Sequence, residues 1–141
     1  EDVAAAMFKT GSGTLATLTV SQVSAGRRNR LWFEIDGANA SVAFDQEDCE
    51  RLWMGYPDQR EEVFVRGPGA GSAEQRRLSV LPAGHAQGYA NCFEAFVADT
   101  YRAIERERPE GLPTFEDGLR SALIVDRVIA SARSRSWTTI A

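Results

Sequence analysis

The sequence predicts an α+β fold: a largely antiparallel, mixed open sheet with two C-terminal helices packed on one face. Two observations carry this. From Asp2 to Leu81 apolar and polar residues alternate with a period of two, and turn signals recur about every eight to twelve residues. From Gly88 to the end the apolar period is helical. A run of strands followed by a run of helices is the pattern of an α+β domain rather than of alternating βαβ units.

The first strand is predicted at Val3 to Lys9 and the second at Thr14 to Val23, with Ala16, Leu18 and Val20 on one face and Thr17, Thr19 and Ser21 on the other. Gly11-Ser12-Gly13 between them offers the positive-φ positions of a tight hairpin. Ser24 to Asn29 reads as a polar loop bearing arginines. Arg30 to Asp36 alternates again, with Leu31, Phe33 and Ile35 inward and Trp32 and Glu34 outward. After the turn at Gly37 to Asn39, Val42 and Phe44 continue the core face. Leu52, Met54 and Tyr56 mark a further strand that Pro57-Asp58 closes. Glu62 to Arg66 and Arg77 to Leu81 are the last predicted strands, separated by a flexible glycine-rich loop from Gly67 to Ser72. The first helix is expected from Gly88 to Glu107, with Tyr89, Phe93, Phe96, Val97, Tyr101 and Ile104 along its apolar stripe. Glu110-Gly111-Leu112-Pro113 ends it. Thr114, with Asp117 three residues on, forms a capping box that starts the second helix. Trp137 to Ile140 is expected as a short last strand.

The 141 residues correspond to a single domain, and 43% hydrophobic with 26% charged residues is a globular balance that excludes disordered and fibrous chains. Sixteen basic against twenty acidic residues give a net charge of −4, which argues against nucleic-acid binding. Lys9 is the only lysine; the other cations are arginines. No apolar run reaches the ~20 residues of a membrane span. Cys49 and Cys92 have neither C-x-x-C spacing nor a histidine cluster, so no metal site is expected and both read as free thiols in a reducing cytoplasm.

Gly11-Ser12-Gly13-Thr14-Leu15-Ala16 matches G-x-G-x-x-A, with Glu34 and Asp36 about twenty residues on. A dinucleotide site needs a helix N-terminus at those glycines to hold the pyrophosphate. The β-branched, alternating residues that follow are strand chemistry, so the pair is read as a hairpin and no cofactor site is expected there. His85 stands at the hinge between sheet and helix, where loops commonly line sites. It can serve as a ligand contact, a titrating group or a local structural contact. Arg27, Arg28 and Asn29, with Arg30, form the densest polar cluster, suited to carboxylate, phosphate or polyol oxygens. No nucleophile motif accompanies His85, which disfavours a hydrolase pairing it with Glu94 or Asp99. Trp32 and Trp53 lie opposite the core residues of their strands. With Thr17 and Thr19 they define a broad semi-apolar face expected to pack against another protein surface.

These stretches together resemble the C-terminal domain of the glucose–fructose oxidoreductase, inositol dehydrogenase and rhizopine-catabolism (Gfo/Idh/MocA) family. The carriers are Asp2 to Phe8 with Gly11 to Leu15, Phe33-Glu34-Ile35-Asp36-Gly37, Gly84-His85-Ala86-Gln87-Gly88-Tyr89, Thr114 to Arg120, and Ser131 to Trp137. The resemblance implies that residues 1–141 are a single substrate-binding and oligomerisation domain of a cytoplasmic NAD- or NADP-dependent dehydrogenase acting on a sugar, inositol or similar polyol. The family's Glu-Lys-Pro and Asp-x-x-x-His motifs are not found here. Catalytic residues and the cofactor are therefore expected in an N-terminal Rossmann portion that this chain lacks, leaving the chain itself inactive and without bound cofactor. Substrate contacts carry over to Arg27, Arg28, Asn29 and His85, and a dimer or other homo-oligomer to the open face with Thr17, Thr19, Trp32 and Trp53. The alternative is a free-standing, non-enzymatic α+β module that binds a small ligand or a protein.

Overall fold

Alternation, hairpin glycines and helix caps lead to strands β1 (Val3–Lys9), β2 (Leu15–Ser21), β3 (Trp32–Asp36), β4 (Ser41–Asp45), β5 (Arg51–Gly55) and β6 (Glu61–Val65), then helices α1 (Ala73–Leu78), α2 (Tyr89–Ile104) and α3 (Phe115–Ser134). This is a computed structural model that describes residues 2–69 and 71–140. Ala70, in the loop expected to be flexible, lies outside the described residues. The fold is α+β with antiparallel sheets and helices, as the sequence predicts. The ladders form two sheets, β1–β2 and β3–β4–β5–β6, where the sequence predicts one. They belong to two compact units, Glu1–Arg27 with Pro113–Ala141, and Arg28–Leu112.

In the first unit β1 and β2 pair antiparallel from Val3↔Ser21 to Lys9↔Leu15. Gly13, at φ 92°, makes the turn, and its N–H donates to the Thr10 carbonyl at 2.9 Å. The glycine pair is thus a hairpin, with a strand and not a helix after it. α3 begins at the capping box: Thr114 N–H donates to Asp117 Oδ2 at 2.8 Å and Asp117 N–H to Thr114 Oγ1 at 3.3 Å. It ends at Arg135, in the left-handed region at φ 55°, a position that glycine fills more easily. The strand expected at Trp137 to Ile140 does not form. Thr138 Oγ1 donates to the Arg127 carbonyl at 3.0 Å and Ser131 Oγ to the Ser136 carbonyl at 2.7 Å, so the segment folds back on α3.

In the second unit the four strands form an antiparallel meander. Its register puts Phe33, Ile35, Val42, Phe44, Leu52, Met54 and Phe64 on one face and Trp32, Ala43, Trp53, Val63 and Val65 on the other. Both faces carry apolar side chains, the second together with Glu34, Asp45 and Arg51. Leu78, read as part of a strand over Arg77 to Leu81, is instead the end of α1. Ser72 caps that helix by accepting from Gln75 N–H at 3.1 Å, and Ala-Glu-Gln-Arg-Arg-Leu are helix formers. α1 joins α2 through ions: Arg77 donates to both Asp99 oxygens at 2.9 Å, and Arg102 to Asp99 at 3.2 Å. Among the described residues no hydrophobic side chain is buried, and the two buried residues, Ser79 and Asp99, are polar.

Candidate functional site

Three connections meet at one end of the four-stranded sheet: residues 28–31 entering β3, residues 46–50 between β4 and β5, and the chain leaving β6. The middle one is a 3₁₀ turn, Gln46–Asp48, started by Asp45, whose Oδ1 accepts from Glu47 N–H at 3.0 Å. Gln46 Nε2 donates to the Asn29 carbonyl at 3.1 Å, and Gln46 N–H to the Leu31 carbonyl at 2.8 Å. At the far side of the turn, Cys49 Sγ donates to the Gln87 carbonyl at 3.2 Å. One short turn therefore links the arginine loop to the His85 loop.

The His85 loop is held from below. Pro82 to His85 is a β-turn: His85 N–H donates to the Pro82 carbonyl at 3.1 Å and Gly84 takes φ 83°, the third-position geometry glycine accepts without strain. Arg66, at the end of β6, donates to the Leu81 carbonyl at 2.9 Å and to the His85 carbonyl at 2.7 Å. The same guanidinium donates from Nε to Glu50 at 3.1 Å. Glu50 also accepts from Gln87 N–H at 2.8 Å, and Gln87 closes the loop by donating to the Leu78 carbonyl at 2.6 Å and accepting from Val80 N–H at 3.0 Å. The Arg66 and Glu50 side chains are only 14% and 22% exposed, so this pair works largely out of water. The Arg66 hydrogen bond, then the Gln87 N–H, hold the Glu50 carboxyl below its usual value.

Of the residues singled out from sequence, His85 sits exposed on this braced turn, and Arg28 and Asn29 stand exposed at the same end of the sheet. Arg27 falls in the other unit, where its N–H donates to the Ser24 carbonyl at 3.2 Å beside Gly26 at φ 77°. Arg30 is committed elsewhere: it donates to Asp45 at 2.9 Å and lies 6.0 Å over the Trp32 ring. Asp99, weighed as an acid partner for His85, is bound by Arg77 and Arg102, which hold its carboxyl below the usual range, Arg77 foremost. Trp32 and Trp53 share one face of the four-stranded sheet, while Thr17 and Thr19 share a face of the β1–β2 ladder. Cys49 and Cys92 are free and exposed. Among the described residues no group of three His, Cys, Asp or Glu side chains could hold a metal ion, and no helix is long and apolar enough to cross a membrane.

Sequence reasoning missed Glu50, Arg66 and Gln87, the residues that fix the loop. A signal existed. In a hairpin where Gly55 faces Glu61 and Arg51 faces Val65, Glu50 and Arg66 fall opposite each other one step further, a cross-strand pair of unlike charge. Chemically, this end offers guanidinium and amide donors and one imidazole on a rigid turn. That suits binding and orienting hydroxyl or acidic oxygens.

The glycine pair closes a hairpin followed by a strand, and the polar loops gather at one end of an antiparallel sheet. Residues 1–140 match the oxidoreductase family's C-terminal alpha/beta domain, and the chain belongs to that Gfo/Idh/MocA family. Levoglucosan dehydrogenase of Pseudarthrobacter phenanthrenivorans is 29% identical over 144 residues, 99% of this chain and 36% of that enzyme. The crystal structure of an oxidoreductase domain protein from Kribbella flavida superposes with a TM-score of 0.85 at 28% identity, covering 100% of this chain and 37% of the other. A levoglucosan dehydrogenase structure in complex with NADH and levoglucosan shares the fold, with a TM-score of 0.83 at 24% identity over 99% of this chain and 38% of that one. The chain spans little more than a third of the length of these relatives.

Proposed function

We propose that this chain is the substrate-binding and oligomerisation domain of a cytoplasmic NAD- or NADP-dependent dehydrogenase acting on a sugar, inositol or related polyol. The observation that carries the reading is the match of nearly the whole chain to a levoglucosan dehydrogenase and to the family's C-terminal domain. Arg28, Asn29 and His85 contact substrate oxygens from the braced end of the four-stranded sheet; Arg27, in the other unit, is a further substrate contact in this reading. The cofactor binds a separate nicotinamide-binding domain, and hydride passes between a substrate alcohol carbon and the nicotinamide; this domain orients the alcohol and excludes water. The chain alone binds no NADH, since its glycine pair closes a hairpin and presents no helix N-terminus to a pyrophosphate.

Exposed apolar side chains on both sheet faces support the oligomerisation part: Ile35 is 61% and Val63 56% exposed. A second copy covers the face of the four-stranded sheet bearing Trp32 and Trp53; the Thr17 and Thr19 face of the β1–β2 ladder is a contact surface of the other unit. The test is expression of the full coding sequence and assay of NAD⁺ and NADP⁺ reduction with levoglucosan, myo-inositol and D-glucose. Turnover of at least one is expected, and His85→Ala and Arg28→Ala should each raise KM by about tenfold, the loss of one good substrate hydrogen bond. No turnover of any polyol with either cofactor would contradict the reading.

A further inference from the structure

An imidazole on an exposed turn moves with its backbone, so whatever holds the turn decides where the ring is presented. Around His85 one side chain does most of the holding. Arg66 donates from Nη1 to the Leu81 carbonyl at 2.9 Å and from Nη2 to the His85 carbonyl at 2.7 Å. A single planar fork therefore straps both ends of the Pro82–His85 turn. The remaining edge of the guanidinium meets Glu50, Nε at 3.1 Å and Nη2 at 3.0 Å, which fixes the plane of the fork. Glu50 in turn accepts from Gln87 N–H at 2.8 Å, so guanidinium and carboxylate grip the chain on both sides of His85. Just beyond, Gly88 N–H donates to Asn91 Oδ1 at 3.2 Å, tying the end of the loop to the start of α2.

Two features separate this arrangement from an ordinary surface ion pair. The pair is half-buried, which strengthens each of its bonds. The guanidinium also spends two of its donors on backbone carbonyls of the very turn that carries His85, targets that charge pairing alone does not require. We infer that Arg66 is a positioning residue for substrate that acts through His85. It presets the turn, so that the imidazole meets a substrate oxygen without first having to be ordered. A lysine in its place keeps a cation beside Glu50, but an ammonium lacks the planar fork that holds both carbonyls at once. Arg28 enters from a separate loop and, among the described residues, shares no hydrogen bond with Arg66, so its contribution is independent of the strap. The inference rests on the reading of His85 as a substrate contact given above.

The test is a pair of double-mutant cycles in the product of the full coding sequence, read as KM and kcat for the polyol it oxidises best. Arg66→Lys is the variant to use, because Arg66→Met leaves Glu50 without a cation and perturbs the fold for a separate reason. Arg66→Lys should raise KM about fivefold with kcat held within about twofold. Added to His85→Ala it should change KM little, leaving the roughly tenfold effect of His85→Ala alone. Added to Arg28→Ala the two effects should multiply, to about fiftyfold. Multiplication with His85→Ala overturns the proposal, as does an unchanged KM in Arg66→Lys or loss of its effect in the Arg28→Ala background. A second readout needs no turnover: deuterium uptake by residues 80–88 should quicken about tenfold in Arg66→Lys, and unchanged uptake also overturns the proposal. Absence of turnover in the unsubstituted protein contradicts the dehydrogenase reading instead, and the uptake then decides whether Arg66 sets the His85 turn.

Discussion

Gln87 carries more of the local structure than any charged residue near it. Its amide accepts from Val80 and Leu81 and donates to Leu78, and its backbone N–H and carbonyl serve Glu50 and Cys49. Gln87→Ala strands several backbone groups at once, and should cost about 1–3 kcal/mol, read as a lower denaturant midpoint at constant slope. Glu50 sets a pH dependence. Its native carboxyl lies below the ordinary value of 4.5, so its contribution is complete above that value and is lost as pH falls through the lowered native one. Asp99 and Asp117 are lowered too, chiefly by Arg77 and by Thr114 N–H, and follow the same sign from their ordinary 3.8. Thermal midpoints measured from pH 7 downward should therefore hold to about pH 5 and then fall, as linkage requires. Glu50→Gln should lower the midpoint at pH 7 and shrink the difference between pH 7 and pH 3; an unchanged difference would remove Glu50 from the account.

Caps make α3 a self-defined element. Thr114→Ala should cost about 1 kcal/mol, whereas Arg135→Gly should be neutral or stabilise by up to about 1 kcal/mol by relieving the left-handed backbone; paired denaturant melts read both. At this scale the strands and long helices were legible because each has a clean period and a boundary residue, such as Gly13 before β2 or Thr114 before α3. α1 was not. Leu78 and Val80 alternate well enough to read as strand, and only the cap at Ser72, with the pull of Arg77 toward Asp99 far along the chain, makes a helix of that stretch. The Gln46–Asp48 turn was missed for a similar reason: it hangs on one Asp45 side chain. For the site, the exposed tips Arg28, Asn29 and His85 were visible as loop chemistry. Their brace was not, because Glu50 and Arg66 look like surface charge until the hairpin register sets them opposite each other.

Across the whole molecule the governing fact is apolar surface without cover: among the described residues the buried side chains are polar, while Trp32, Val63 and Phe64 are 50%, 56% and 45% exposed. Apolar side chains left uncovered on a sheet are the kind of surface that a partner covers, which is what the proposed oligomerisation uses. Sedimentation should show self-association that Trp32→Glu with Val63→Lys abolishes without loss of secondary structure; a monomer at every concentration would defeat the oligomerisation reading. The division of labour behind the account, substrate contacts here and cofactor on another domain, is tested most directly by titrating NADH fluorescence with this chain and with the product of the full coding sequence. The account predicts no change with the chain and saturable binding with the full product. Saturable micromolar binding of NADH by residues 1–141 alone would contradict it.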